Sequence, residues 1–127
     1  MQEKIQRCAI YIRVSTAEQA MHGKSLEAQT EYLTNYAHQH NMVIVGVFAD
    51  EGKTARKNFK DRKAIKALLK LVKEDAIDII IFWKMDRWFR NVSDFYKVQD
   101  ILDAHQVKWI ATAEPNMNLD TREGRLN

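Results

Sequence analysis

A chain of 127 residues, 46% hydrophobic and 29% charged, is long enough for one globular domain with a sizeable core. Its net charge of +3 is compatible with a polyanionic partner but does not establish one. The single cysteine, Cys8, excludes an internal disulfide and a cysteine-based zinc site, so we expect a reducing, cytoplasmic location. No apolar run is long enough to span a membrane, and residues 1–9 lack the apolar segment of a signal peptide, so we expect no membrane partner.

Four segments rich in Val, Ile and Phe predict β-strands. They are residues 8–15, 42–50, 77–85 and 107–113. The third, IDIIIFWKM, begins as an almost unbroken apolar run, which is typical of a strand buried on both faces.

Between these strands, apolar residues recur with the spacing of amphipathic helices. The predicted helices are residues 25–40, 62–74 and 93–105, and Ser25 is a candidate N-cap for the first. Strands that alternate with helices predict an α/β fold, with a mostly parallel central sheet of about four to five strands flanked by helices. We expect residues 1–127 to form one domain.

Polar side chains follow the predicted strands at the end where parallel sheets bind ligands. Arg13 and Ser15, in YIRVS, are two residues apart and should point to the same side of the first strand. Asp50 and Asp86 come at the ends of the second and third strands. A guanidinium beside a hydroxyl is suited to a phosphate next to a nucleophile.

The segment KMDRWFRN, residues 84–91, adds two arginines, Arg87 and Arg90, beside Asp86. If the segment is helical, the arginines share a face, and the first amides of the helix would add donors for an anion. Arg62 opens the predicted helix before it.

A serine among several arginines indicates phosphoryl transfer, because arginines can neutralise the phosphate oxygens without a metal ion. We therefore expect Ser15 to be the nucleophile and expect no metal or other cofactor. Each residue also has a simpler explanation. A serine that ends a strand is more often a turn residue, arginines beside aspartates are more often surface ion pairs, and we expect all three tryptophans in the core.

Five motifs occur in an order that resembles the catalytic domain of serine recombinases, the resolvase/invertase superfamily. They are YIRVST, SLEAQ, FADEGKT followed by DR, MDRWFRN and LDTREGRL. The loop before SLEAQ and the DTREGR segment are most similar to the large serine recombinases, which are phage integrases and conjugative-transposon recombinases. The resemblance implies a resolvase-like three-layer fold.

The resemblance also implies roles for individual residues. Ser15 would attack a DNA phosphodiester and form a 5′-phosphoserine with a free 3′-hydroxyl. Asp86 would assist the leaving 3′-oxygen, and Gln29 would support the active site. The arginines that would bind the scissile phosphate are Arg13, Arg62, Arg87 and Arg90.

Members of this superfamily exchange DNA strands as tetramers on two sites, and rejoin them without ATP or metal. The partners implied are therefore double-stranded DNA attachment sites, further copies of the chain as a homodimer or homotetramer, and a directionality factor. A long dimerisation helix and DNA-binding domains are expected after Asn127, so residues 1–127 alone are expected to be inactive.

Two alternatives stay open. A serine transposase of an insertion element shares the chemistry, but usually carries its DNA-binding domain before the catalytic domain, where this chain has only a few residues. A non-catalytic α/β binding module, such as a receiver-like or nucleotide-binding domain, would share the layout but is expected to lack the ordered serine and arginine set.

Residues 1–127 alone should bind DNA weakly and without sequence preference, because only surface charge would hold the duplex. In gel shifts with two unrelated duplexes of equal length, we expect equal affinities that fall steeply as salt is raised. Tight binding to one duplex alone would contradict this prediction.

Overall fold

Strands and helices alternate along the chain in the computed structural model, which describes residues 5–15, 25–52, 63–89 and 91–114, with the backbone alone for Ser15, Glu51 and Asp86. The strands are β1 (Gln6–Ser15), β2 (Met42–Gly52), β3 (Ile79–Phe82) and β4 (Lys108–Ala111). The helices are α1 (Leu26–Gln39), α2 (Lys63–Lys73), α3 (Met85–Trp88) and α4 (Val92–Ala104).

The four strands form a parallel sheet in the order β2-β1-β3-β4. From β1 the chain first moves outward to β2, and then crosses to β3 and β4 on the other side. Such a reversal of strand order leaves a crevice at the carboxyl ends of the two strands that flank it, here β1 and β3. This confirms the predicted α/β fold and places its ligand-binding edge.

Strand β1 is buried on both sides, which divides the core into two parts. Cys8, Ile10 and Ile12 pack on the face that α1 covers. Ala9 and Tyr11 point to the opposite face, where α2, α3 and α4 contribute the apolar side chains. The domain therefore has three layers, and each fully buried Ile or Leu contributes roughly 1.5–3 kcal/mol.

Helices α1 and α4 begin at polar caps, and helices α2 and α4 end in the same kind of turn. The hydroxyl of Ser25 accepts from the amide of Ala28 at 3.2 Å, as its position predicts, and Asn91 caps α4 in the same way. Helices α2 and α4 each end at a residue with positive φ, Asp75 (56°) and Gln106 (58°). The next amide in each case bonds back to a carbonyl five residues earlier, which is a Schellman ending.

These two helix endings contact each other at the amino edge of the sheet. Nδ1 of His105 lies 2.9 Å from Oδ1 of Asp75. At the same edge, the Arg7 guanidinium donates two hydrogen bonds to Asp78, at 3.0 Å each. His105 therefore belongs to the ending of α4.

Two predicted strands are longer than those that form, and β4 covers only Lys108–Ala111 of the predicted 107–113. The third strand was expected over residues 77–85, but β3 ends at Phe82, and residues 85–88 form the short helix α3. Apolar content alone does not mark this change, because Trp83 and Met85 continue the apolar run. None of the helices that the structure describes is both long and apolar enough to cross a membrane.

A buried polar network joins α4 to β4. The indole N–H of Trp109 donates to Oε1 of Gln99 at 2.9 Å, and Nε2 of Gln99 donates to Asp103 at 2.9 Å. Trp109 is 3% exposed and Gln99 is 6% exposed, so water cannot easily replace the hydrogen bond between them. The network fixes the outer strand on the helical layer.

Substituting Gln99→Met should lower the free energy of unfolding by about 1–3 kcal/mol, because it leaves the indole N–H without its acceptor. Urea unfolding would measure the change, with Asp100→Ala on the exposed face of α4 as the control. Equal midpoints for both variants and the wild type would contradict the prediction.

Candidate active site

Arg13 and Ser15 of the predicted site lie at the carboxyl end of β1, beside β3. Ser15 is the last residue of β1, with its backbone in register with Gly52 of β2. Arg13, two residues earlier, is in register with Asp50 and is half-buried. The Ser15 side chain lies outside the described residues.

Helix α3 lies on the same side of the sheet as Arg13. The alternation of β1 places the Arg13 side chain on the side of Tyr11. The Tyr11 ring packs edge-on against Trp88 of α3, with centroids 5.5 Å apart. The structure therefore brings the Arg13 end of β1 and the Arg87-bearing helix to one face of one edge, as the sequence predicts.

Asp50 fixes the start of α2 and the position of Tyr11. Its carboxylate accepts from the Tyr11 hydroxyl at 2.8 Å, and from the backbone amides of Ala64 and Ile65 at 2.8 and 3.1 Å. Arg62, which lies outside the described residues, directly precedes α2. The sequence places Asp50 at the edge but does not identify this role, because the partners are 14 and 39 residues away.

Helix α3 has only one turn and is held by its aromatic end. Trp88 is fully buried and stacks on Phe82, with ring centroids 4.9 Å apart. The helix ends there, because Phe89 has extended backbone angles (φ −147°, ψ 138°). The condition under which Arg87 and Arg90 would share a helical face is a helix that continues past residue 88, and α3 ends at Trp88. Arg90 itself lies outside the described residues, as does the Asp86 side chain.

The first amide of α3 already has an acceptor in the chain. The amide of Met85 donates to Oε1 of Glu114 at 2.7 Å. The expectation that this helix start offers its amide to a bound anion is wrong for Met85. Sequence analysis missed Glu114, which follows the last strand.

Two cations pack against the ring of Trp83. The Arg87 guanidinium carbon lies 5.4 Å from the ring centroid and Lys84 Nζ lies 4.8 Å from it. Contacts of this kind are worth about 0.5–1 kcal/mol at exposed sites and more when desolvated. Trp88 and Trp109 are core residues as expected, but Trp83 is half-buried and instead contacts the positive charge of the site.

Gln29 is buried at the start of α1, with 4% of its surface exposed. It is a polar residue on the buried face of that helix, which otherwise carries Leu33 and Ala37. Helix α1 covers the opposite face of the sheet from α3, so the supporting role expected of Gln29 stays a prediction.

Cys8 and metal ligands are the other chemical groups to consider. Burial raises the pKa of the Cys8 thiol to about 11, so it is protonated at neutral pH and is a poor nucleophile. Among residues 5–15, 25–52, 63–89 and 91–114, no cluster of three or more His, Cys, Asp and Glu side chains could hold a metal ion.

Comparison with known proteins identifies the family. No curated protein sequence matches the chain. The family model described as "Resolvase, N terminal domain" matches residues 8–127. The chain belongs to this family.

Solved structures of serine recombinases resemble this resolvase domain. The N-terminal catalytic domain of TP901-1 integrase is 30% identical, with a TM-score of 0.81, over 95% of this chain and 88% of that one. The C-terminal catalytic domain of ISC1926 TnpA, an IS607-like serine recombinase, is 31% identical, with a TM-score of 0.69, over 81% of this chain and 67% of that one.

A resolvase family site-specific recombinase from Streptococcus pneumoniae is 28% identical, with a TM-score of 0.71, over 88% of this chain and 74% of that one. The resolvase domain is therefore a serine recombinase catalytic domain in fold and family. An unrelated receiver-like module is excluded.

Loss of the Asp50 contacts should destabilise the resolvase domain. We expect Tyr11→Phe to lower the free energy of unfolding by about 1.5–3 kcal/mol, because one hydrogen bond to a charged group is lost. Asp50→Ala should cost more, because the cap of α2 is lost as well. Chemical denaturation would test this, with the exposed Tyr96→Phe and Asp100→Ala as matched controls. A Tyr11→Phe midpoint equal to that of Tyr96→Phe would count against the prediction.

Proposed function

We propose that this chain is the catalytic domain of a site-specific DNA recombinase, in which Ser15 attacks a DNA phosphodiester. One observation carries the proposal. In a chain of the resolvase family, the strand that ends in Ser15 and the helix that bears Arg87 meet at one edge and on one face of the sheet.

The proposed reaction conserves the energy of the broken bond. The Oγ of Ser15 forms a bond to phosphorus as the bond from phosphorus to the 3′-oxygen breaks. The serine proton leaves to solvent, and the 3′-oxygen takes up a proton and becomes a free hydroxyl. Rejoining reverses these steps on a new partner strand, so ATP is not needed.

Arginines would neutralise the charge that develops on the phosphate. Arg13 approaches from β1 and Arg87 from α3, both half-buried, where reduced contact with water strengthens charge interactions. Removing one such preorganised donor costs roughly 3–4 kcal/mol, or about a hundred- to a thousandfold in rate. We assign Arg62 and Arg90 to the same phosphate, Asp86 to the leaving 3′-oxygen and Gln29 to support.

The partners follow from this chemistry. The substrate is double-stranded DNA, and strand exchange requires a homodimer or homotetramer on two attachment sites, with a directionality factor to choose the direction. The proposal places the protein in the cytoplasm and assigns it no cofactor.

A serine transposase is the second candidate function. The similarity to the catalytic domain of ISC1926 TnpA favours it. That domain is 31% identical to this chain, and the TP901-1 integrase domain is 30% identical. Both candidates share the serine chemistry and differ in the DNA that they join.

Covalent trapping tests the proposal. The full-length protein is incubated with fragmented DNA from its source genome, under conditions that stall rejoining, and is then digested for mass spectrometry. We expect a 5′-phosphate adduct on Ser15, complete loss of the adduct in Ser15→Ala, and full retention in Ser93→Ala, which removes an exposed hydroxyl on α4.

An adduct on another residue, or one that survives in Ser15→Ala, would refute the proposed nucleophile. No adduct from a folded protein that binds the DNA would refute the proposed reaction. Sequencing of the trapped DNA separates the two candidates, since one fixed site indicates a site-specific recombinase and many unrelated sites indicate a transposase.

A further inference from the structure

The chain that leaves β4 runs beside the segment that carries Arg87. The amide of Thr112 donates to the carbonyl of Phe82 at 2.8 Å, and the amide of Ala113 donates to the carbonyl of Trp83 at 2.9 Å. Glu114 comes next, and its carboxylate accepts from the amide of Met85 at 2.7 Å. Three successive residues therefore hold the chain from the end of β3 to the start of α3.

Helix α3 depends on contacts of this kind for its position. A helix of four residues has no intrinsic stability in water. The side chain of its N-cap residue, Lys84, makes no capping hydrogen bond. Trp88 anchors the far end in the core, and Glu114 anchors the near end. Asp86 and Arg87 lie between these two anchors.

The Glu114 contact is suited to hold this end firmly. A hydrogen bond to a carboxylate is about twice as strong as one between neutral groups, and this one is partly shielded from water. Glu114 also precedes Pro115, and a following proline narrows the backbone conformations open to a residue. The backbone that carries the acceptor is therefore restricted in conformation.

We infer that Glu114 is a positioning residue, which sets the place of Arg87 by holding the amide of Met85. The inference rests on the proposed function, since it concerns the arginine assigned there to the scissile phosphate. Glu114 does not touch the phosphate. It links the chain that leaves β4 to the arginine, so a displacement of that chain changes the geometry of the site.

The test compares Glu114→Ala with Glu114→Gln in the full-length protein, with Glu31→Ala on the exposed face of α1 as the control. The probe is the fragmented genomic DNA of the trapping assay, and the readout is the rate of Ser15 adduct formation at increasing DNA concentration. A misplacement of about 1 Å at a reacting centre costs on the order of a hundredfold in rate. We expect a loss of that size in the saturating rate of Glu114→Ala, with an unchanged DNA concentration at half-maximal rate.

Glu114→Gln should restore most of the rate, because its amide oxygen still accepts the Met85 hydrogen bond. Hydrogen exchange of the Met85 amide, followed by NMR, should be more than about tenfold faster in Glu114→Ala than in the wild type or Glu31→Ala. If Glu114 only stabilised the fold, Glu114→Ala would lower the melting temperature. Its saturating rate would then not fall alone at an unchanged half-maximal DNA concentration, and Glu114→Gln would not restore the rate.

The outcomes separate the two proposals. A wild-type adduct with an unchanged rate in Glu114→Ala overturns the positioning role alone. Equal losses in the Ala and Gln variants overturn it as well. No adduct from the wild-type protein overturns the proposed function, and the inference that rests on it.

Discussion

The Asp50 carboxylate is the contact on which the arrangement of this edge depends. It joins three elements, because it accepts from Tyr11 of β1 and from the first amides of α2 while it belongs to β2. Arg13 lies two residues beyond Tyr11, and Arg62 lies one residue before α2. One side chain therefore joins the start of α2 to the strand that carries Arg13. Three hydrogen-bond donors fix the position of the Asp50 carboxylate.

An aromatic cluster of Tyr11, Phe82 and Trp88 joins β1 to β3, just as the Asp50 contacts join β1 to β2. Trp88 stacks on Phe82 and contacts Tyr11, so it connects α3 to both central strands. Tyr11 thus takes part in both systems, with its ring in the apolar core and its hydroxyl on Asp50. Arg13 and Arg87 therefore extend from elements that are anchored in the apolar core, which would lower the reorganisation that the proposed reaction requires.

The fold could be predicted from the sequence because it rests on local patterns. The apolar stripe of α2 and the unbroken run of β3 each identify an element from a short window. Ser15, Arg13 and Arg87 could be grouped because parallel strands end at one edge. The roles of Asp50 and Glu114 could not be predicted, since their partners are distant in sequence. The sequence predicts Trp88 in the core, but no local pattern shows that α3 ends there and that the backbone becomes extended at Phe89.

The two edges of the sheet carry different kinds of residue. At the amino edge, α2 and α4 end in the same left-handed turn, and the Arg7–Asp78 and His105–Asp75 contacts join neighbouring segments. At the carboxyl edge lie Arg13 and Arg87, to which the proposed reaction assigns chemical roles. Evolution can therefore alter loops at the carboxyl edge while the opposite edge maintains the fold.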